Sequence, residues 1–393
     1  MTDQKSNWAI VVHCGAGYHS RQNQARHLRC LDNACRSAAE LLRRGAEATE
    51  AIVAAVKEME DDPITNAGFG SNLTESGTLE GDATLVGKSG AFGAVGAIPK
   101  VRNPIAAAQA VYAHAREPMA LNRMPPNLVA GESAANYYAT LGGRLDIPEN
   151  IVEDAAVAQH AVWRQQLDDH ERGDSDIVND TVGAIAIDSY GEIAAASSSG
   201  GLGLKKPGRI GPAALNGVGT SVFPRRIGDP LRRVTAIVAS GSGEDITKVS
   251  AAAFAAERLY DSKFRGPNGD LQTCVIDEGG PILENFIQEE FLRHPAVLDT
   301  ALTTPPVLGL VGLKSSVDGA FMYYAHNSQS FALGSMTSTD KKPVVMMSRI
   351  GSSSKSDIVH GARRLLSSSV PDQSSSSPMS QNDGSGSGQY ELE

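Results

Sequence analysis

The sequence predicts an α+β fold whose helical and sheet blocks stack in layers. Helix-period segments dominate up to an acidic, polar stretch at residues 168–180, and strand-period segments dominate after it. One long helical stretch interrupts the second block. Blocks of both kinds on one chain must bury their apolar faces against each other, which is the condition layered packing meets.

The elements follow in order. Trp8 to His13 is an apolar strand running into Cys14-Gly15-Ala16-Gly17, whose small residues leave room for a ligand or another backbone. Residues 25–44 and 48–60 carry apolar side chains at helical spacing with Gly45 as the stop between them, so they predict a helical layer. Asn103 is an N-cap residue followed by Pro104 at the first helical position, opening a helix to about residue 115. Residues 131–141 read as another helix, and 152–169 as a third that carries the chain toward the acidic stretch. Strands are predicted at 182–188, 192–197, 235–239, 273–277, 307–312, 320–326 and 343–350, with a helix at 244–262 among them. From Gly351 onward 14 of 43 residues are serine, which predicts a solvated tail over 351–393, with one short helix at 358–366, outside a single domain of residues 1–350.

Composition narrows the function classes. A formal charge of −10, from 35 basic and 45 acidic residues, leaves no basic stripe, so direct nucleic-acid binding is not expected. No apolar run reaches membrane-spanning length, and Met1-Thr2-Asp3-Gln4-Lys5-Ser6 is no signal sequence, so an intracellular, membrane-free chain is expected. Cys14, Cys30, Cys35 and Cys274 lack C-x-x-C spacing, which predicts neither a metal site nor a disulfide framework. Cys14, although close to His13 and His19, reads as a small buried thiol rather than a nucleophile.

The chemistry concentrates at Asn179-Asp180-Thr181-Val182-Gly183, where the polar stretch meets an apolar strand. A threonine hydroxyl is a weak nucleophile, and its most compact base is its own α-amine, which exists only if the chain is cut before it. That amine has a pKa of about 7.7 to 8.0, suited to taking a proton and returning it. β-Branching restricts χ1 and so the positions of the hydroxyl. Gly183 lets backbone approach closely. Such a string alone is an ordinary loop entering a sheet. Its context is a set of small and polar segments: Thr65-Asn66-Ala67-Gly68, Gly81-Asp82-Ala83-Thr84, Ser197-Ser198-Ser199-Gly200-Gly201, Lys206-Pro207-Gly208-Arg209-Ile210-Gly211 and Ala239-Ser240-Gly241-Ser242-Gly243-Glu244.

With these segments in this order, the chain from Trp8 to Ile350 resembles the plant-type asparaginase branch (asparaginase 2) of the N-terminal nucleophile hydrolases, and within it the taspases, or threonine aspartases. The resemblance implies a four-layer αββα sandwich. It implies that Thr181 attacks the carbonyl of Asp180, that an acyl shift and hydrolysis follow, and that alpha (1–180) and beta (181–393) chains remain one unit, alone or as a dimer of heterodimers. Thr181 would then be the catalytic nucleophile, with Ser199 orienting its hydroxyl. Ser240 and Gly241 would stabilise the oxyanion, where fixed donors are worth roughly 3 to 4 kcal/mol each. Arg209 would grip the substrate carboxylate through its planar fork, and Asn66 is a further substrate-binding candidate. No cofactor is required; a structural sodium on backbone carbonyls near residues 60–66 is implied.

Free-amino-acid asparaginases carry an aspartate three residues after this arginine, to pair with the substrate ammonium. Here Pro212 stands there, with neither charge nor N–H. The expected activity is therefore an autoprocessing threonine endopeptidase cutting after aspartate in protein substrates. The alternatives are an isoaspartyl peptidase/L-asparaginase and a catalytically silent binding homologue. Asn179 departs from the apolar residue taspases favour before the aspartate. The stretch before Thr181 is acidic where some taspases carry a basic import segment, so residence is expected to be cytoplasmic or nuclear, the nucleus by family habit alone.

Overall fold

The computed structural model describes residues 7–147, 151–168, 181–274, 279–299, 305–351 and 357–367. Strand β1 (Ala9–Gly17) leads into helices α1 (Gln24–Arg43) and α2 (Ala48–Asp61), the hairpin β2 (Gly81–Val86) and β3 (Phe92–Ile98), and helix α3 (Pro104–His114). Then come β4 (Leu128–Ala130), α4 (Gly131–Thr140) and α5 (Asp154–Asp168). The second half starts with the hairpin β5 (Val182–Ile187) and β6 (Ile193–Ser199), followed by β7 (Thr220–Phe223), β8 (Val234–Gly241), α6 (Gly243–Val249) and α7 (Ala251–Asp261). A small ribbon, β9 (Lys263–Arg265) and β10 (Leu271–Thr273), precedes α8 (Gly279–Asn285) and α9 (Pro295–Leu298). The described chain closes with β11 (Leu308–Ser316), β12 (Gly319–His326), β13 (Ser330–Thr337), β14 (Val344–Arg349) and β15 (Val359–Ser367).

Besides the β9–β10 ribbon, the described strands form two large sheets, one ordered β14-β13-β1-β5-β6-β2-β3-β4 and the other β15-β12-β11-β8-β7. Three apolar interfaces separate four layers. Ile10, Val12, Val182 and Ala184 of the first sheet pack on α1 and α2. Val11, Ile185 and Ile187 face Val238 and Val311 of the second sheet. Ile237 and Leu310 on that sheet's outer face pack on α7 and α8 through Leu259 and Leu283. Every residue of β5 is buried because both its faces are covered, each large apolar side chain contributing about 1.5 to 3 kcal/mol. The architecture of this chain is a layered α+β sandwich, as expected.

Several local expectations change. Strands β2 and β13, though buried at every position, were not predicted, because glycine, serine, threonine and Asp82 interrupt their apolar runs where β5 has a nearly continuous one. The helix expected at 244–262 breaks into α6 and α7 at Ser250, which adopts a left-handed φ of 48°. Asn103 does not cap α3 through its side chain. Instead Glu60 Oε1 accepts the Ile105 N–H at 2.9 Å, a capping contact from another helix. The predicted strand at 273–277 corresponds to β10, which ends at Thr273, and 275–278 lie outside the described residues.

The largest correction is at the end of the domain. The short helix predicted at 358–366 is strand β15, antiparallel to β12, so the folded unit runs past residue 350. Arg363 explains part of this, donating to Ser335 Oγ at 2.6 Å and to both oxygens of Asp340 at 2.9 and 2.7 Å. A strand fastened by partners so far along the chain leaves no local signature. Residues 368–393 of the predicted tail lie outside the described residues. Among those described, no helix is long and apolar enough to cross a membrane.

Candidate active site

Thr181 stands immediately before β5, only 8% exposed. The β5–β6 register pairs Val182 with Ser198, so the next rung sets Thr181 against Ser199. From the other sheet, Ser240 on β8 reaches across: its Oγ accepts the Thr181 N–H at 3.4 Å and the Ala16 N–H at 3.0 Å. Two N–H groups occupy the oxygen, which leaves the Ser240 O–H to be donated elsewhere. Ser199 Oγ accepts the Gly201 N–H at 3.0 Å, which fixes its rotamer and again leaves a hydroxyl proton to give. Gly241, at φ 139°, is held so close to Val307 that a Cβ there would overlap its carbonyl oxygen.

These residues line a tight pocket of about 20 Å³ together with Arg209 and Pro212. A larger groove of about 410 Å³ at the far end of β5, lined by Ile187 and Tyr190, contains none of these groups. Arg209 is 16% exposed and pairs with Glu244, Nε to Oε1 at 3.0 Å and Nη2 to Oε2 at 2.9 Å. Three glycines make room for the guanidinium. A Cβ on Gly201 or Gly211 would stand 3.0 or 2.6 Å from Nη1, and one on Gly243 would stand 2.6 Å from Nη2.

The floor beneath holds groups that sequence reasoning did not assign. Asp82, fully buried, accepts the Ala97 and Gly211 N–H groups at 2.8 Å each, fixing the loop that carries Arg209. Burial pushes its carboxyl up, while the Lys205 charge, the two N–H groups and Arg209 pull it back. Lys205, also buried, donates to the Glu80 carbonyl at 2.7 Å, and burial lowers its pKa against the attraction of Asp82. Ser197 takes a 2.6 Å hydrogen bond from Thr220 and donates to the Ala213 carbonyl at 3.2 Å, pinning the turn that presents Pro212. The only advance signal for Asp82 was a lone acid among small residues.

The predicted residues divide. Thr181, Ser199, Arg209, Ser240 and Gly241 come together. Asn66 does not line the pocket: its Nδ2 donates to the Gly201 carbonyl at 2.8 Å and its Oδ1 accepts the Asn72 N–H at 2.9 Å. Its amide is spent clamping the Gly200-Gly201 turn behind Ser199. Asp180 lies outside the described residues.

Gly183 does admit a close approach, though by a side chain. A Cβ there would overlap Nε2 of His13. His13 accepts the Gly15 N–H on Nδ1, its Nε2 has no partner among the described residues, and burial lowers its pKa to about 3, so it is neutral. Cys14 packs its sulfur 3.9 Å from Cys30 and 3.7 Å from Met59. All four cysteines are free thiols, Cys14 buried as expected.

Residues 6–264 match a family model described as Asparaginase. The human isoaspartyl peptidase/L-asparaginase is 33% identical over 252 residues, covering 63% of this chain and 75% of that protein. The isoaspartyl peptidase of Salmonella typhimurium is 29% identical over 309 residues, covering 72% and 93%. The plant-type L-asparaginase of Pyrobaculum calidifontis is 33% identical over 333 residues, covering 83% and 95%.

Proposed function

The chain belongs to the asparaginase family of N-terminal nucleophile hydrolases, and on that premise we propose that Thr181, freed as a new amino terminus by cleavage after Asp180, makes it a threonine endopeptidase acting after aspartate. In this reading Arg209 holds the aspartate side-chain carboxylate and the peptide carbonyl faces the Thr181 hydroxyl. The Thr181 amine takes the hydroxyl proton as Oγ attacks the carbonyl carbon and gives it to the leaving peptide nitrogen as the C–N bond breaks, and water then hydrolyses the acyl ester. Ser240, bonded to the Thr181 nitrogen, orients the amine, and its remaining O–H, with Gly241, serves the oxyanion.

The observation that carries the endopeptidase reading is Pro212, which lines the pocket beside Arg209. A free amino-acid substrate brings an ammonium that needs an acid. The nearby carboxylates are committed: Asp82 to two backbone N–H groups and Glu244 to Arg209. A desolvated, unpaired ammonium costs several kcal/mol, whereas a peptide nitrogen needs no such partner. The second reading, isoaspartyl peptidase/L-asparaginase, is favoured by the names of the relatives; in it the two carboxyl groups of the substrate trade places.

Cleavage would not part the two chains, because β1 before the cut and β5 after it are hydrogen-bonded neighbours from Ala9↔Ile187 to Cys14↔Val182. The family implies a structural sodium near residues 60–66, and the backbone carbonyls of that turn, oxygen donors suited to a hard cation, would hold it and stiffen the turn.

A denaturing gel tests the first step: wild-type protein should resolve into alpha and beta chains, and Thr181→Ala should stay whole and inactive. A single wild-type band after long incubation would instead favour a silent homologue. Cleaved enzyme is then given an Asp-Gly peptide, L-asparagine and a β-aspartyl dipeptide in parallel. Faster turnover of the latter two would replace the endopeptidase reading with the second.

A further inference from the structure

Arg209 has two edges, and Glu244 uses one of them. Nε donates to Oε1 at 3.0 Å and Nη2 to Oε2 at 2.9 Å, with Oε1 also 2.9 Å from Nη2, so Glu244 covers the side edge of the guanidinium. Nη1 makes no hydrogen bond among the described residues, and it is the atom nearest to where a Cβ would stand on Gly201 and on Gly211, both of which line the pocket. The end edge, Nη1 with the second proton of Nη2, is thus presented to the cavity. Without its fork the side chain would have four rotatable bonds and no fixed plane. A planar donor pair recognises a carboxylate only when that plane is set beforehand.

We propose that Glu244 is a positioning residue for Arg209, holding the guanidinium so that its end edge receives the carboxylate of the substrate; this rests on Arg209 being the carboxylate holder. Glu244 is 58% exposed, and its value is orientation rather than net attraction, since an exposed pair is weak on its own. The two acids near Arg209 divide the task. Asp82 fixes the backbone of the loop through Gly211, and Glu244 fixes the plane of the side chain.

The test uses cleaved enzyme and whichever substrate it turns over, the Asp-Gly peptide or the β-aspartyl dipeptide. Glu244→Ala should raise KM about tenfold with kcat within about twofold, and Glu244→Gln, which keeps one acceptor oxygen, should fall between. Because Glu244 acts through Arg209, adding Glu244→Ala to Arg209→Ala should change nothing beyond the single arginine variant. An unchanged KM in Glu244→Ala, a KM that falls because Glu244 had been competing with substrate, or full additivity in the double variant would overturn the inference. Arg209→Ala separates the two levels. If it raises KM while Glu244→Ala does not, only the positioning role fails; if it leaves KM unchanged, the assignment of Arg209 as carboxylate holder fails first. Should Glu244→Ala not fold, Glu244→Gln carries the same comparison.

Discussion

Two buried carboxylates flank strand β6 from opposite faces, and their surroundings differ sharply. Asp82, paired in register with Ser199, spends both oxygens on backbone N–H groups and has Lys205 and Arg209 for company. Glu60, on the helical side, bonds through a single oxygen to Ser198 at 2.6 Å and to the Ile105 N–H, while Oε2 has no partner among the described residues. Burial pushes the Glu60 carboxyl up to about 8, so at neutral pH it holds a proton. The face toward the pocket sets opposite charges beside its carboxyl, which work against the upward push of burial, and the face toward the helices gives Glu60 no such charge among the described residues. Neighbouring serines on one strand therefore serve different ends: Ser199 enters the pocket, and Ser198 ties the strand to α2.

The comparison breaks most visibly at Asp82. Asp82→Ala leaves two N–H groups unmet and Lys205 buried without its counter-charge, a loss of about 3 to 5 kcal/mol. Denaturant unfolding should show it, with kcat/KM down by about a hundredfold or more as the Arg209 loop shifts. Gly183→Ala, on the same inter-sheet face, forces a Cβ into the neutral His13 ring and 3.2 Å from Val238 Cβ. Overpacking of that kind costs about 1 to 3 kcal/mol, and self-cleavage at Thr181 should slow on a timed gel.

On the helical side the effects should shrink. Glu60→Ala exposes the unmet Ser198 and Ile105 donors for about 1 to 3 kcal/mol, read as a lower unfolding midpoint, with kcat/KM changed only a few-fold. The subtlest expectation concerns pH. The Glu60 carboxyl is raised from 4.5 to about 8, so its contribution is complete below 4.5 and is lost as pH climbs through 8. The buried histidines act in the opposite sense: His13 and His326 are lowered from 6.5 to about 3 and about 4, and stability falls as pH drops below 6.5. Between 4.5 and 6.5 the slopes oppose, and above 6.5 Glu60's contribution no longer meets theirs. Glu60→Gln should therefore flatten the decline of Tm between pH 6.5 and 8, and an unaltered slope would mean that Glu60 is ionised in the folded protein.

Five of the candidate site residues, Thr181, Ser199, Arg209, Ser240 and Gly241, line one pocket. Thr181 is marked by a polar stretch ending at a buried strand, a local event of composition, whereas Arg209 stands out only through its resemblance to a family motif, since its own turn Lys206-Pro207-Gly208 reads equally as surface. Asn66 was legible as a site residue but not as a clamp, since its amide could be assigned only once the Gly200-Gly201 turn was folded against it. Strand β15 was misread because its partners, β12 and Asp340, determine it and its own pattern does not.

By itself the sequence marked Thr181 as the candidate nucleophile and the layered class of the fold, and resemblance to a family added its hydroxyl neighbours and Arg209 as candidates. Only the tertiary structure decided which carboxylates support them. Asp82 meets Gly211 across 129 residues, Ser198 meets Glu60 across 138, and Arg209 meets Glu244 across 35. The reason is physical. A nucleophile is named by the chemistry of its own side chain, whereas a buried carboxylate is defined by the partners that make its burial tolerable, and those arrive only when the sheets close.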